Sequence, residues 1–151
     1  MAPLNPVKKY LSEMLQEAND SSDPVSVLQK YRQSEVRLTS ILGYAINPKF
    51  AIHTQIPAGN PPFKESNLPL GKAAMDVLYL HNKLYIMFNS ELKQFKKEEF
   101  FLKWVESMHP TDAKILIAVK DQNLESLYPK LTKDVIRQSL GWSKEDYQKL
   151  F

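Results

Sequence analysis

The side chains best suited to chemistry are few and scattered along the chain. The three histidines, His53, His81 and His109, each stand alone. A histidine acts as a general base or metal ligand with a partner at close spacing, and no HExxH or paired-histidine pattern occurs. His81 falls on the apolar side of its predicted helix and reads as a packed histidine. His109 precedes Pro110 and reads as the decoration of a helix end. His53 lies in a long loop, where a functional role stays open. The adjacent carboxylates are Glu98-Glu99 and Glu145-Asp146. Both pairs, and Asp112, fall near predicted helix starts, where negative charge complements the helix dipole without acid–base work. The hydroxyls Ser26, Ser34, Thr39 and Ser40 have no histidine near them in sequence. No GxSxG elbow or GxxxxGK[ST] loop is present. Four glycines cannot build a glycine-rich phosphate cradle. The absence of cysteine removes disulfides, thiolate metal sites, iron–sulfur clusters and a cysteine nucleophile together. The residues therefore predict neither an enzyme nor a cofactor or metal site.

Binding is the alternative, and three features bear on it. The net charge is +3, with the excess spread evenly over the thirds of the chain, whereas nucleic-acid binders cluster it on one face. Only Arg32, Arg37 and Arg137 are arginines, the residue preferred for planar recognition of phosphate and guanine. Residues 133–148 look superficially like a helix-turn-helix, but Glu145 and Asp146 open the second helix, where bases and phosphates would have to approach. Nucleic acid thus stays the alternative partner, and a protein the main one. The third feature is aromatic. Phe95, Phe100, Phe101 and Trp104 form an aromatic set, the last three on one predicted helix, where the adjacent Phe100 and Phe101 diverge by about 100°, so one can face the core while the other points elsewhere.

The elements that must position these residues read as all-α. The chain has 151 residues, 43% of them apolar, which suits one domain with a substantial core. Asn5-Pro6 and Asp23-Pro24 are cap-then-proline signals for the first two helices. Ser34 is expected to cap a third, with Val36, Leu38, Ile41, Leu42 and Ala45 inward and Asn47-Pro48 as its stop. Residues 73–88 read as a central helix with Tyr85 among its inward positions and Leu80 and Met87 off that face. Further helices are expected over residues 97–108, from Pro110 onward, over 133–140 behind a Thr132 cap, and after Ser143. Gly141 is the expected left-handed residue at a helix end. The sum is a compact single-domain bundle of about seven or eight helices spanning residues 1–151, with almost no strand.

Residues 48–71 are the exception, holding five of the ten prolines and two of the four glycines. Long loops of this kind are commonly functional. A proline-rich loop is stiff before it binds, so docking it costs little entropy. Pro57, Gly59, Pro61, Pro62, Phe63 and Lys64 are its candidate partner-binding residues. No apolar run is long enough to span a bilayer. The first residues lack a basic segment followed by an apolar one, which predicts a chain that is not secreted.

The stretch Ile56-Pro57-Ala58-Gly59-Asn60-Pro61-Pro62-Phe63-Lys64 resembles the LPEGxPPYK loop of a family of small uncharacterised proteins of T-even-like tailed bacteriophages. Ser107-Met108-His109-Pro110-Thr111-Asp112-Ala113-Lys114, ending in Ala118-Val119-Lys120-Asp121, is similar to another segment of that family. Leu131-Thr132-Lys133 resembles the start of its final helix. The similarity covers about residues 25–142 and departs at Ala58, where the family tends to have an acid, and at Phe63, where it tends to have tyrosine. It implies a phage protein in the cytoplasm of the infected bacterium and brings no catalytic residues with it. The expected function is therefore non-enzymatic: protein–protein interaction that modulates a host or phage macromolecular machine.

Overall fold

The computed structural model describes residues 10–50, 75–89 and 91–149. Among them the secondary structure is entirely helical. The α-helices are α1 (Leu11–Asp20), α2 (Pro24–Ser34), α3 (Arg37–Ile46), α4 (Gln94–Glu106), α5 (Pro110–Lys120), α6 (Lys133–Leu140) and α7 (Lys144–Gln148). Three short 3-10 segments accompany them: η1 (Leu78–Asn82), η2 (Leu84–Phe88) and η3 (Leu124–Ser126). The expected all-α class is what the chain adopts.

Most helix starts follow the local chemistry of their caps. The Asp23 carboxylate accepts from the Ser26 amide at 3.3 Å, with Pro24 in the first turn. Thr132 Oγ1 accepts from the Val135 amide at 3.2 Å, and Ser143 Oγ from the Asp146 amide at 3.0 Å. His109 Nδ1 accepts from the Thr111 amide at 3.1 Å ahead of Pro110. Each cap satisfies an amide that the helix leaves without a partner. Gly141 ends α6 at φ 76°, the left-handed conformation expected there.

Three expectations need correction and one, the stop at Asn47-Pro48, holds with an addition. Helix α1 begins at Leu11, with Tyr10 extended and its amide bonded to Glu13 Oε1 at 2.9 Å; Asn5 and Pro6 lie outside the described residues. Ser34 does not cap α3. It closes α2, its Oγ donating to the Tyr31 carbonyl at 3.3 Å, and α3 starts after Val36, which is 73% exposed rather than inward. Asn47 ends α3 but also restarts the helix: residues 48–50 are helical, with Asn47 Oδ1 accepting from the Lys49 amide at 3.0 Å. Asn47-Pro48 is thus a third cap-then-proline signal, like Asp23-Pro24. Finally, residues 75–88 are not one α-helix. Residues 75–77 precede η1, and η1 and η2 meet at Lys83. Leu78, His81, Leu84 and Met87 recur every third residue, the period of a 3-10 helix, and Leu80 and Met87 are buried while Tyr85 is exposed.

The central elements are α3 and α5. Helix α3 packs against α2, η1, α5 and α6, and α5 also meets α1, α4 and η3. Helix α5 is buried around most of its circumference, from Asp112 and Ala113 through the stretch from Ile115 to Lys120. Each fully buried leucine or isoleucine there stabilises the fold by about 1.5–3 kcal/mol. The buried Lys120 ammonium reaches Asp121 Oδ1 at 2.6 Å and lies 5.6 Å from the centre of the Phe101 ring. An aromatic cluster joins η2 to α3: Phe88 stands 6.2 Å from Tyr44 and 5.9 Å from Phe50 between ring centres.

A candidate docking groove beside a buried carboxylate

The aromatic set divides as helical geometry requires. On α4, Phe101 is 2% exposed and points into the core, whereas Phe95 is 56% exposed. Phe100 is half-buried and stacks obliquely on Trp104, with ring centres 6.2 Å apart. Phe100 and Lys103 form a ridge between two grooves. One groove, of about 470 Å³, carries Lys96, Glu99 and Glu106 beside apolar Leu102. The other, of about 670 Å³, runs between α4 and the 3-10 pair. Its α4 wall is Phe100, Lys103, Trp104 and Ser107, and its facing wall is Tyr79, Asn82, Lys83, Tyr85 and Ile86. Tyr79 and Tyr85 are 49% and 66% exposed, an unusual outlay of aromatic surface.

The larger groove is basic and apolar. Its described lining includes Lys83 and Lys103 and no carboxylate. Lys83 Nζ rests 5.3 Å from the centre of the Tyr79 ring, a cation–π contact that fixes the charge at the rim. The end of the groove is tied down by backbone: the Met75 amide donates to the Ser107 carbonyl at 3.1 Å. Beside it, Asp76 Oδ1 accepts from the Tyr79 amide at 2.9 Å and so caps the segment that carries both tyrosines.

Asp112 differs from what its place in the first turn of a helix implies. Its side chain is buried, 4% exposed, and its Oδ1 has no hydrogen-bond partner. Burial, with the charge of Asp76 added, pushes its carboxyl from the usual 3.8 up to about 6. Tyr128 is buried nearby, and its phenol is pushed up by burial and by the Asp112 charge. The dipole is therefore not a sufficient account of this residue. It is not one for Glu98-Glu99 either: α4 starts at Gln94, both lie beyond its first turn, and Glu99 pairs with Lys96 at 3.1 Å. Among the described residues no group of three or more histidines and carboxylates could hold a metal ion.

Sequence-level candidates fare unevenly. Pro57, Gly59, Pro61, Pro62, Phe63 and Lys64 lie outside the described residues, as does His53. His81 is satisfied within the fold, its Nδ1 lying 3.0 Å from the Leu78 carbonyl. All three arginines are engaged by the chain itself. Arg32 donates to the Ser139 carbonyl and to Thr39 Oγ1, Arg37 to both oxygens of Glu35, and Arg137 to Asp134 and the Trp142 carbonyl. Tyr85, expected inward, and Tyr79 become site candidates only because η1 and η2 lie across from α4.

Fold and groove together define an all-helical protein with an aromatic, basic groove on one face. The chain belongs to a family of unknown function, DUF6433, whose model matches residues 11–126. That stretch includes both walls of the larger groove and stops before α6. Neither a curated protein nor a solved structure matches the chain. No helix among the described residues is long and apolar enough to cross a membrane.

Proposed function

We propose that this is a small non-enzymatic protein that works by binding a partner protein in the groove between η1–η2 and α4. The observation that carries the reading is the pair of exposed tyrosines, Tyr79 and Tyr85, facing Phe100 and Trp104 across a cavity of about 670 Å³. Tyrosine and tryptophan dominate the energetics of protein interfaces, and a concave floor lets an anchor side chain be fully desolvated. The non-enzymatic part is supported by the histidines: His81 and His109 each spend a ring nitrogen on the backbone. Nucleic acid is the weaker reading, because Arg32, Arg37 and Arg137 are all spent on intramolecular bonds. The resemblance to small T-even-like phage proteins supports a host or phage machine in the infected bacterial cytoplasm as the setting.

The test is affinity capture from infected cells with wild type, a Tyr85→Ala/Phe100→Ala variant and a Pro62→Ala/Phe63→Ala variant, each checked for folding by circular dichroism. The groove variant should lose a protein that the wild type retains. Equal recovery of the same proteins by the wild type and the groove variant would overturn the reading.

A further inference from the structure

We infer that the occupant of the groove is an acidic peptide segment carrying an aromatic or branched aliphatic anchor. This rests on the groove being a docking site and adds the chemistry of what docks. Charge complementarity carries the inference. The described lining presents two ammonium groups, Lys83 and Lys103, on opposite walls, with no carboxylate between them. Lys83 is already held over Tyr79 at 5.3 Å, so a carboxylate arriving at the rim meets a positioned cation. Between the two charges lie Phe100 and Trp104, the latter 7% exposed and forming a floor rather than a flat shelf. An apolar side chain flanked by acids matches this order of charge, ring and charge. A single nucleic-acid strand matches it less well. Base stacking needs open ring faces, and Lys83 already lies over Tyr79. Two cations would also neutralise few phosphates and release few counterions.

The test measures binding to the full chain by fluorescence anisotropy, at low salt and at physiological salt. The probes are four: a fluorescein-labelled peptide of about 12 residues with leucine and tryptophan anchors among glutamates, its counterpart with lysine for each glutamate, its counterpart with serine for each anchor, and a single-stranded oligothymidylate. The acidic anchored peptide should bind at least about tenfold more tightly than the other three, and weaken as salt rises. Lys83→Glu/Lys103→Glu should reverse the preference toward the lysine peptide, which a merely structural effect would not do. Equal binding of acidic and basic peptides, no binding of any peptide, or tightest binding of the oligothymidylate overturns the inference. The reading of the groove as a docking site survives those results if Tyr85→Ala/Phe100→Ala still loses a captured partner. It fails with them if that variant recovers what the wild type recovers.

Discussion

Replacing Asp112 with asparagine should make the protein more stable at neutral pH and less sensitive to pH. Asp112 is buried, lacks a partner at Oδ1, and feels the charge of Asp76. Its carboxyl titrates at about 6 in the folded chain against an ordinary 3.8. The folded state therefore holds this proton more tightly than the unfolded chain does. The contribution is fully present below the unfolded value, falls as pH rises from about 4 to about 6, and is gone above that window. At about 1.36 kcal/mol per pH unit, carrying the charge at neutral pH costs up to about 3 kcal/mol. Asparagine keeps the shape and removes the charge. It also brings an amide donor whose burial without a partner costs about 1–3 kcal/mol. The expected net gain at pH 7.5 is up to about 2 kcal/mol.

Urea unfolding followed by tryptophan fluorescence at pH 4.5, 5.5 and 7.5 measures this directly. Wild type should lose stability between the first and last pH relative to Asp112→Asn, with the difference smallest at the lowest pH. Taking the difference between the proteins cancels the histidines and every other group they share. If the variant is less stable than wild type at pH 7.5, or if the difference between them does not change with pH, Asp112 is not a strained buried charge. The outcome also bears on the groove, since Asp76, which repels Asp112, caps the segment bearing Tyr79.

Other substitutions test the fold by thermal or chemical denaturation. Gly43→Ala places a Cβ 3.6 Å from Trp142 Cη2, an ordinary contact, and should stabilise α3 by about 0.5–1 kcal/mol. Gly141→Ala puts a side chain at φ 76° and should cost about 1–2 kcal/mol although the space around it is open. Arg32→Ala removes the side chain that joins α2 to Thr39 of α3 and to the Ser139 carbonyl of α6, and should cost about 1–3 kcal/mol. A change smaller than about 0.3 kcal/mol in that last case would mean the pair of bonds exchanges freely with water.

How much was legible in the sequence depended on how local the cause was. Asp23-Pro24, His109-Pro110, Thr132 and Gly141 act within one helical turn, and each is found doing what its type predicts. The divergence of Phe100 from Phe101 is also local, a consequence of helical rotation, and it correctly sends one ring to the core and the other to a groove. Asp112 does lie in the first turn of its helix, but its burial is not legible in the sequence because its neighbours Asp76 and Tyr128 are distant along the chain. Residues 75–88 were misread because Val77, Leu78, His81, Leu84, Tyr85 and Phe88 satisfy an α-helical pattern nearly as well as a period of three. Packing decided between them: α3 takes up η1, and Phe88 of η2 joins Tyr44 and Phe50.

That decision is what creates the candidate site. Tyr79, Asn82 and Tyr85 line one wall of the groove, each three residues from the next. Tyr79 and Asn82 fall in register along one side of η1, and the turn at Lys83 brings Tyr85 of η2 onto the same wall. In an α-helix each step of three turns back by about 60°, so Tyr79 and Tyr85 would stand about 120° apart and could not share a wall. The inward column of Leu78, His81, Leu84 and Met87 follows the same period and secures the segment from the other side. The tight winding therefore links core to surface: the spacing that buries Leu78, Leu84 and Met87 is the spacing that presents two tyrosines to the groove. A sequence that relaxed residues 78–88 into an α-helix would set Leu78 and Leu84 about 120° apart just as it would Tyr79 and Tyr85, and so would loosen the buried column and the groove wall together.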